Sequence, residues 1–166
     1  MWFAFFSRTF VVLRDMSPET IIRTVRRHKV THIFAVPLFW EKVYSQAIAG
    51  IKARGDKTYK KFLKGMKISL GLGNSAAGKL FRKYAFSEVR DRIFGDTISF
   101  TITGGGAISP AAIEFFNAIG YRLADGYGAT EIGITSVELS NKFGKITSRS
   151  VGKPFSSCRY RINEKG

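Results

Sequence analysis

Seven consecutive residues, Asp125-Gly126-Tyr127-Gly128-Ala129-Thr130-Glu131, carry the chemistry that is easiest to see in the chain. Two glycines flank a tyrosine, and a hydroxyl and a carboxylate follow side by side. Glycine lets backbone take positive φ or approach a ligand with no Cβ in the way. A threonine hydroxyl can donate to a phosphate oxygen, and a glutamate can hold Mg²⁺, a hard cation that prefers oxygen. Together these parts suit a nucleoside triphosphate. The same residues also make an ordinary turn followed by a helix cap, so both readings stand on this stretch alone.

A second glycine cluster, Gly104-Gly105-Gly106, lies just upstream. Residues 96–103 alternate apolar and polar side chains before it, as a strand does. Ser109-Pro110 after it spells a helix start, and Gly120 supplies the stop. Residues 121–124 read as a short strand leading into Asp125. Each cluster therefore follows a strand. In parallel α/β sheets, ligands bind beyond the carboxyl ends of the strands.

The remaining elements fit that scheme. Residues 2–13 are rich in aromatic and β-branched side chains and read as a strand pair or the edge of a sheet. Ser17-Pro18-Glu19 opens a helix with an apolar face at Ile21, Ile22 and Val25. Residues 30–36 read as a buried strand, and Pro37 opens an amphipathic helix that reaches Ile51. Past Gly55-Asp56, residues 57–94 read as two basic helices parted by residues 71–74. Strands are expected at 135–139, 145–151 and 159–162. The alternation predicts a single α/β domain with a mostly parallel sheet flanked by helices and a basic helical insert around 56–94.

Composition bounds the function. The chain has 166 residues, 45% of them apolar, enough for one domain with a core. Its 27 Lys+Arg against 12 Asp+Glu give a net charge of +15. Such an excess invites an anionic partner, and a basic module for nucleic acid or an anionic membrane is the alternative to an enzyme. No nucleic-acid-binding signature accompanies the charge, so no nucleic acid is expected. A peripheral membrane contact through the basic helices stays open. The lone Cys158 fits a reducing, cytoplasmic setting. Gly73-Asn74-Ser75-Ala76-Ala77-Gly78-Lys79-Leu80 almost spells a phosphate loop, but Leu80 stands where Ser or Thr is required, so an inter-helix turn is expected. His28 and His32 have a metal-ligand spacing but no carboxylate or cysteine partner.

Residues 103–110, Glu114-Phe115-Phe116 and residues 126–131, in this order and spacing, resemble the adenylate-forming (AMP-binding) superfamily. Residues 36–44, Arg90-Asp91-Arg92-Ile93-Phe94-Gly95 and Val151-Gly152-Lys153-Pro154 are similar to its long-chain fatty-acid–CoA ligase branch. The resemblance implies part of the large N-terminal domain of such an enzyme. It implies two steps: a fatty acid attacks ATP to give acyl-adenylate and pyrophosphate, and coenzyme A then displaces AMP. It places Gly104, Gly105, Gly106 and Ala107 against the adenine. Asp125, Gly126, Tyr127, Gly128 and Ala129 shape the nucleotide pocket, Thr130 reaches the phosphates, and Glu131 holds Mg²⁺. Val36 and Trp40 are assigned to the acyl pocket. A ligase for aryl or medium-chain acids is the nearest alternative. The family's Ser/Thr/Gly-rich phosphate loop, ribose-binding aspartate and C-terminal catalytic lysine have no counterpart here. The chain is therefore expected to be an internal, partial AMP-binding domain spanning 1–166, inactive alone.

Overall fold

A computed structural model describes residues 9–161 except 14, 16 and 141. The elements, in chain order, are α1 (Pro18–Arg27), β1 (His32–Ala35), α2 (Pro37–Lys52), α3 (Asp56–Leu72), α4 (Ala76–Ala85) and α5 (Ser87–Arg92). After them come β2 (Phe100–Gly104), α6 (Pro110–Ile119), β3 (Leu123–Ala129), β4 (Gly133–Val137) and α7 (Phe143–Thr147). The four strands form one sheet in the order β1-β2-β3-β4. β1 runs parallel to β2 and β2 to β3, whereas β4 returns antiparallel to β3. The expected mixed α/β, mostly parallel architecture is what forms.

Two helices begin as their Ser-Pro pairs dictate. Ser17 accepts a hydrogen bond from the Thr20 N–H, and Ser109 accepts one from the Ala112 N–H at 3.2 Å. In both, Pro occupies the first turn, where its missing N–H costs nothing. Gly120 ends α6 in the left-handed conformation at φ 106°.

Helix α6 is the centre of the core. Seven of its ten residues are buried, among them Ile113, Phe115 and Phe116. It packs with α2 and α3 against β2 and β3. Trp40, fully buried on α2, meets Phe116 edge-on at 5.1 Å and Phe94 at 6.2 Å, and its indole N–H donates to the Ala35 carbonyl at 3.3 Å. Phe115 continues the cluster to Tyr44 and Phe62. Each such ring contributes about 1.5–3 kcal/mol by leaving water, with further gain from edge-to-face geometry.

Arg90 explains the otherwise odd run Arg90-Asp91-Arg92. It is buried, and its guanidinium donates to the carbonyls of Arg82 at 3.0 Å and Lys83 at 3.0 Å, near the carboxyl end of α4, and to Ile119 at 3.4 Å, at the end of α6. Asp96 takes its Nε–H at 2.7 Å. A cation is favourable where unsatisfied helix carbonyls gather. This run is therefore structural.

Several expectations from sequence are corrected. The strand pair expected at 2–13 falls partly outside the described residues, and residues 9–13 form no strand. The helix expected to run to Phe94 breaks at Phe86, whose ring turns inward against Phe62 and Phe81. β2 starts at Phe100, later than expected, and β4 lies two residues earlier than 135–139. Residues 145–151 are not a strand. A one-turn helix, α7, forms over Phe143–Thr147 and buries Ile146. Residues 159–161 are irregular, and 162 lies outside the described residues. Of the near-phosphate-loop at 73–80, residues 73–75 form an inter-helix turn as expected and 76–80 begin α4, with Ser75 capping it by accepting the Gly78 N–H.

Thr101 and Thr103 lie on the helix-covered side of β2, both fully buried. The Thr101 hydroxyl donates to the Arg122 carbonyl at 2.9 Å, whereas the Thr103 hydroxyl has no partner. Replacing a bonded hydroxyl by a methyl costs about 1 kcal/mol, while removing an unsatisfied one is neutral or stabilising. Urea unfolding should therefore show Thr101→Val less stable than the parent by roughly that amount and Thr103→Val at least as stable. Equal losses in the two variants would contradict the hydrogen-bond assignment.

Candidate functional site

The Tyr-Gly stretch is a strand rather than a loop. β3 continues through Ala129, with Gly126 opposite Val137, Tyr127 opposite Ser136 and Gly128 opposite Ile134. A bulge falls between Tyr127 and Gly128. Only Thr130, Glu131 and Ile132 form the turn to β4, closed by Gly133 at φ 69°. The glycines here are first a packing requirement. A Cβ on Gly128 would lie 2.4 Å from the Gly133 carbonyl oxygen, and one on Gly104 would lie 3.0 Å from that of Gly126. Gly105 is different: it adopts φ 82° with open space beside it. Of the residues expected to present bare backbone, Gly105 does so most plainly.

Two clefts open at this end of the sheet, sharing Gly105, Gly126, Tyr127 and Gly128 as a common wall. The larger is about 630 Å³ and brings together Gly104, the hairpin tip with Thr130 and Glu131, and Ala129. Its lining also includes the apolar side chains of Phe34, Val36, Ile102 and Ile134. The second is about 510 Å³ and brings together Gly106, Ala107 and Asp125 with Ile108, Ser148, Arg149 and Val151. The candidate residues thus fall into two adjoining groups. Trp40 joins neither. Its assignment to an acyl pocket is corrected: it is sealed in the aromatic core, one residue along α2 from Glu41, while Val36 does line the larger cleft.

Position and charge differ between the clefts. Thr130 and Glu131 are exposed, and Glu131 has no hydrogen bond or ion pair among the described residues. Asp125 is only 7% exposed. Burial pushes its carboxyl above the ordinary aspartate range, against a smaller opposing pull from the Gly126 N–H and from Arg149. Arg149 holds a left-handed conformation at φ 61° and donates to the Ile108 carbonyl at 3.4 Å. Phe34, Ile102, Ile134 and Arg149 were not singled out from sequence. The first three are ordinary strand residues, and nothing in the local pattern marks Arg149.

Other motif residues hold the loops. Glu41 accepts the Ser109 N–H at 2.7 Å and so ties α2 to the end of the glycine loop. Gly152, at φ 76°, lies so close to β4 that a Cβ would sit 2.2 Å from the Val137 carbonyl oxygen. No cluster of three metal-ligating side chains, at His28 and His32 or elsewhere, occurs among the described residues.

The entire chain, residues 1–166, matches the AMP-binding enzyme family. It belongs to that family. The chain is 26% identical over 171 residues to the long-chain-fatty-acid–CoA ligase ACSBG2 of Gallus gallus, covering 96% of this chain and 22% of that protein. The adenylation and carrier didomain of a carboxylic acid reductase from Segniliparus rugosus, solved in complex with AMP, shares the fold. It superposes with a TM-score of 0.51 at 21% identity, covering 78% of this chain and 15% of that one. The chain spans about a fifth of the length of its curated relative.

The raised Asp125 carboxyl sets a pH dependence. Its folded-state value exceeds its unfolded one, so its contribution to stability is full below about pH 4, the ordinary aspartate value, and is lost as pH rises through the folded value. Asp125→Asn should therefore gain stability relative to the parent on going from acid to neutral pH. Denaturant midpoints at several pH values measure this, and a constant difference between the two proteins would refute it.

Proposed function

We propose that this chain forms the nucleotide-facing part of an ATP-dependent fatty-acid–CoA ligase, within a longer polypeptide. The observation that carries the reading is the larger cleft. An exposed hydroxyl and carboxylate, Thr130 and Glu131, share its lining with aliphatic and aromatic side chains. A nucleotide phosphate and an apolar carboxylate chain need those two surfaces side by side. The similarity to the Gallus gallus ligase supports the acyl and thiol specificity.

In this reading the smaller cleft takes the base against Tyr127 and the 105–107 backbone. Thr130 donates to a phosphate oxygen. Glu131 suits Mg²⁺: it is exposed at the rim, and that ion is usually held by one or two carboxylates plus substrate phosphates. The ion supplies charge neutralisation at phosphorus when bound. The apolar side of the cleft orients the fatty carboxylate towards the α-phosphate and keeps water from it. Adenylation needs charge stabilisation and alignment more than a protein nucleophile. Coenzyme A is the thiol that takes the acyl group in the second step.

Palmitate-dependent ATP–pyrophosphate exchange in the whole protein tests this. Glu131→Ala should lower exchange on the order of 100-fold, with the far-ultraviolet dichroism unchanged because Glu131 is exposed at the hairpin tip. Unaltered exchange would sink the role given to Glu131. Equal exchange with benzoate and palmitate would sink the fatty-acid specificity. The 166 residues by themselves are expected to form no palmitoyl-CoA, and thioester formation by them alone would show that no further part of the polypeptide is required.

A further inference from the structure

Away from the clefts, α3 and α4 carry a dense run of positive charge. Residues 56–85 contain eight Lys+Arg against one acid, Asp56. On α3 the buried side is Phe62 and Ser69, with Tyr59, Met66 and Leu70 partly buried beside them. Lys57, Lys60, Lys61, Lys64 and Lys67 are all exposed. At 3.6 residues per turn they lie on the side of the helix away from that stripe. Lys79 and Lys83 add two more exposed cations on α4. The ion pairs among the described residues join Arg54 and Arg92 to Glu88 and Arg90 to Asp96, and use none of these lysines.

The cations are not alone on this surface. Ile68 falls in the same row as Lys57, Lys61 and Lys64 and is 43% exposed. Leu72, at the end of α3, Leu80 and Tyr84 are exposed too. The two helices meet at Leu72, where a Cβ on Gly78 would lie 3.1 Å from the Leu72 Cβ. Large apolar side chains thus stand among the lysines of these two helices.

We propose that this face docks onto an anionic phospholipid bilayer. Lysine ammonium groups would sit at the level of the headgroup phosphates while their stems lie along the apolar boundary. Ile68, Leu72 and Leu80 enter the interface, and Tyr84 suits its polar edge. A nucleic acid would engage the lysines but leave the aliphatic side chains unused. Single-strand binders also rely on stacking aromatics, and Tyr84 is the one aromatic on α3 and α4 that is mostly exposed. The inference stands without the adenylation reading, because none of these residues lines either cleft.

Co-sedimentation of the full chain with vesicles tests it, using phosphatidylcholine alone or mixed with phosphatidylserine. Binding is expected only to the mixed vesicles and should weaken with salt. Each lysine near the surface is worth about a five-fold change in partition, so Lys60, Lys64 and Lys67 changed together to Gln should lose on the order of 100-fold. Ile68→Ser should weaken vesicle binding while keeping the salt dependence of the parent. Three results would overturn the proposal: equal binding to both vesicle types, unchanged binding of the triple variant, or duplex or single-stranded nucleic acid bound more tightly than the mixed vesicles and untouched by Ile68→Ser. Dichroism of each variant confirms that the exposed substitutions leave the helices formed.

Discussion

One carboxylate–amide hydrogen bond holds the glycine loop where it is. Glu41 on α2 accepts the N–H of Ser109, which itself caps α6. The partners are 68 residues apart, so the bond closes a long excursion of chain through three further helices and a strand. A charged acceptor makes the stronger kind of hydrogen bond, and a helix N-terminus favours negative charge beside it. At the other end of the loop, Gly104 is fixed by its close approach to Gly126. Between these anchors Gly105 and Gly106 present backbone to the clefts. Trp40, next to Glu41, drives α2 into the core. Adjacent residues of one helix thus supply the burial that fixes the helix and the acceptor that fixes the loop.

That arrangement explains which features were legible in the sequence. Helix starts at Ser17-Pro18 and Ser109-Pro110 were local signals with a local cause, and both held. The strand ending in glycines at 104 and the mostly buried α6 followed from alternation and from apolar spacing. The Tyr-Gly stretch was less legible. Its glycines look like a turn because isolated glycine usually marks one, but the reason for Gly128 is the Gly133 carbonyl on the returning strand, a contact that no local pattern encodes. Trp40 misled for a related reason. Large aromatics suit both pockets and cores, and only the placement of Phe94 and Phe116 decides between them. Residues 145–151 read as a strand from sequence, yet the chain coils there into a single turn that buries Ile146.

Physical division of labour within the family motifs is sharper than their sequence suggests. Gly152, Arg90 and Glu41 sit in three different motifs and line neither cleft. Gly152 clears a carbonyl, Arg90 collects helix-terminal carbonyls, and Glu41 fastens a loop. Thr130 and Glu131 are held by little beyond the hairpin that carries them. The residues with free polar groups therefore stand at the tip of a two-stranded extension, while the residues that give the motifs their regularity are framework.

The unevenly covered sheet has a practical consequence. Helices α2 and α6 cover the side bearing Thr101 and Thr103, whereas Phe34, with more than half its surface exposed, stands on the other side beside Ile102. β1 is also the outermost strand among the described residues. Its outer amide and carbonyl groups are a template for another strand, next to an apolar strip that water wets poorly. At high concentration the route to precipitation would be edge-to-edge pairing at residues 32–35. A lysine at position 34 would place a charge in that strip and favour the monomer in concentrated solution.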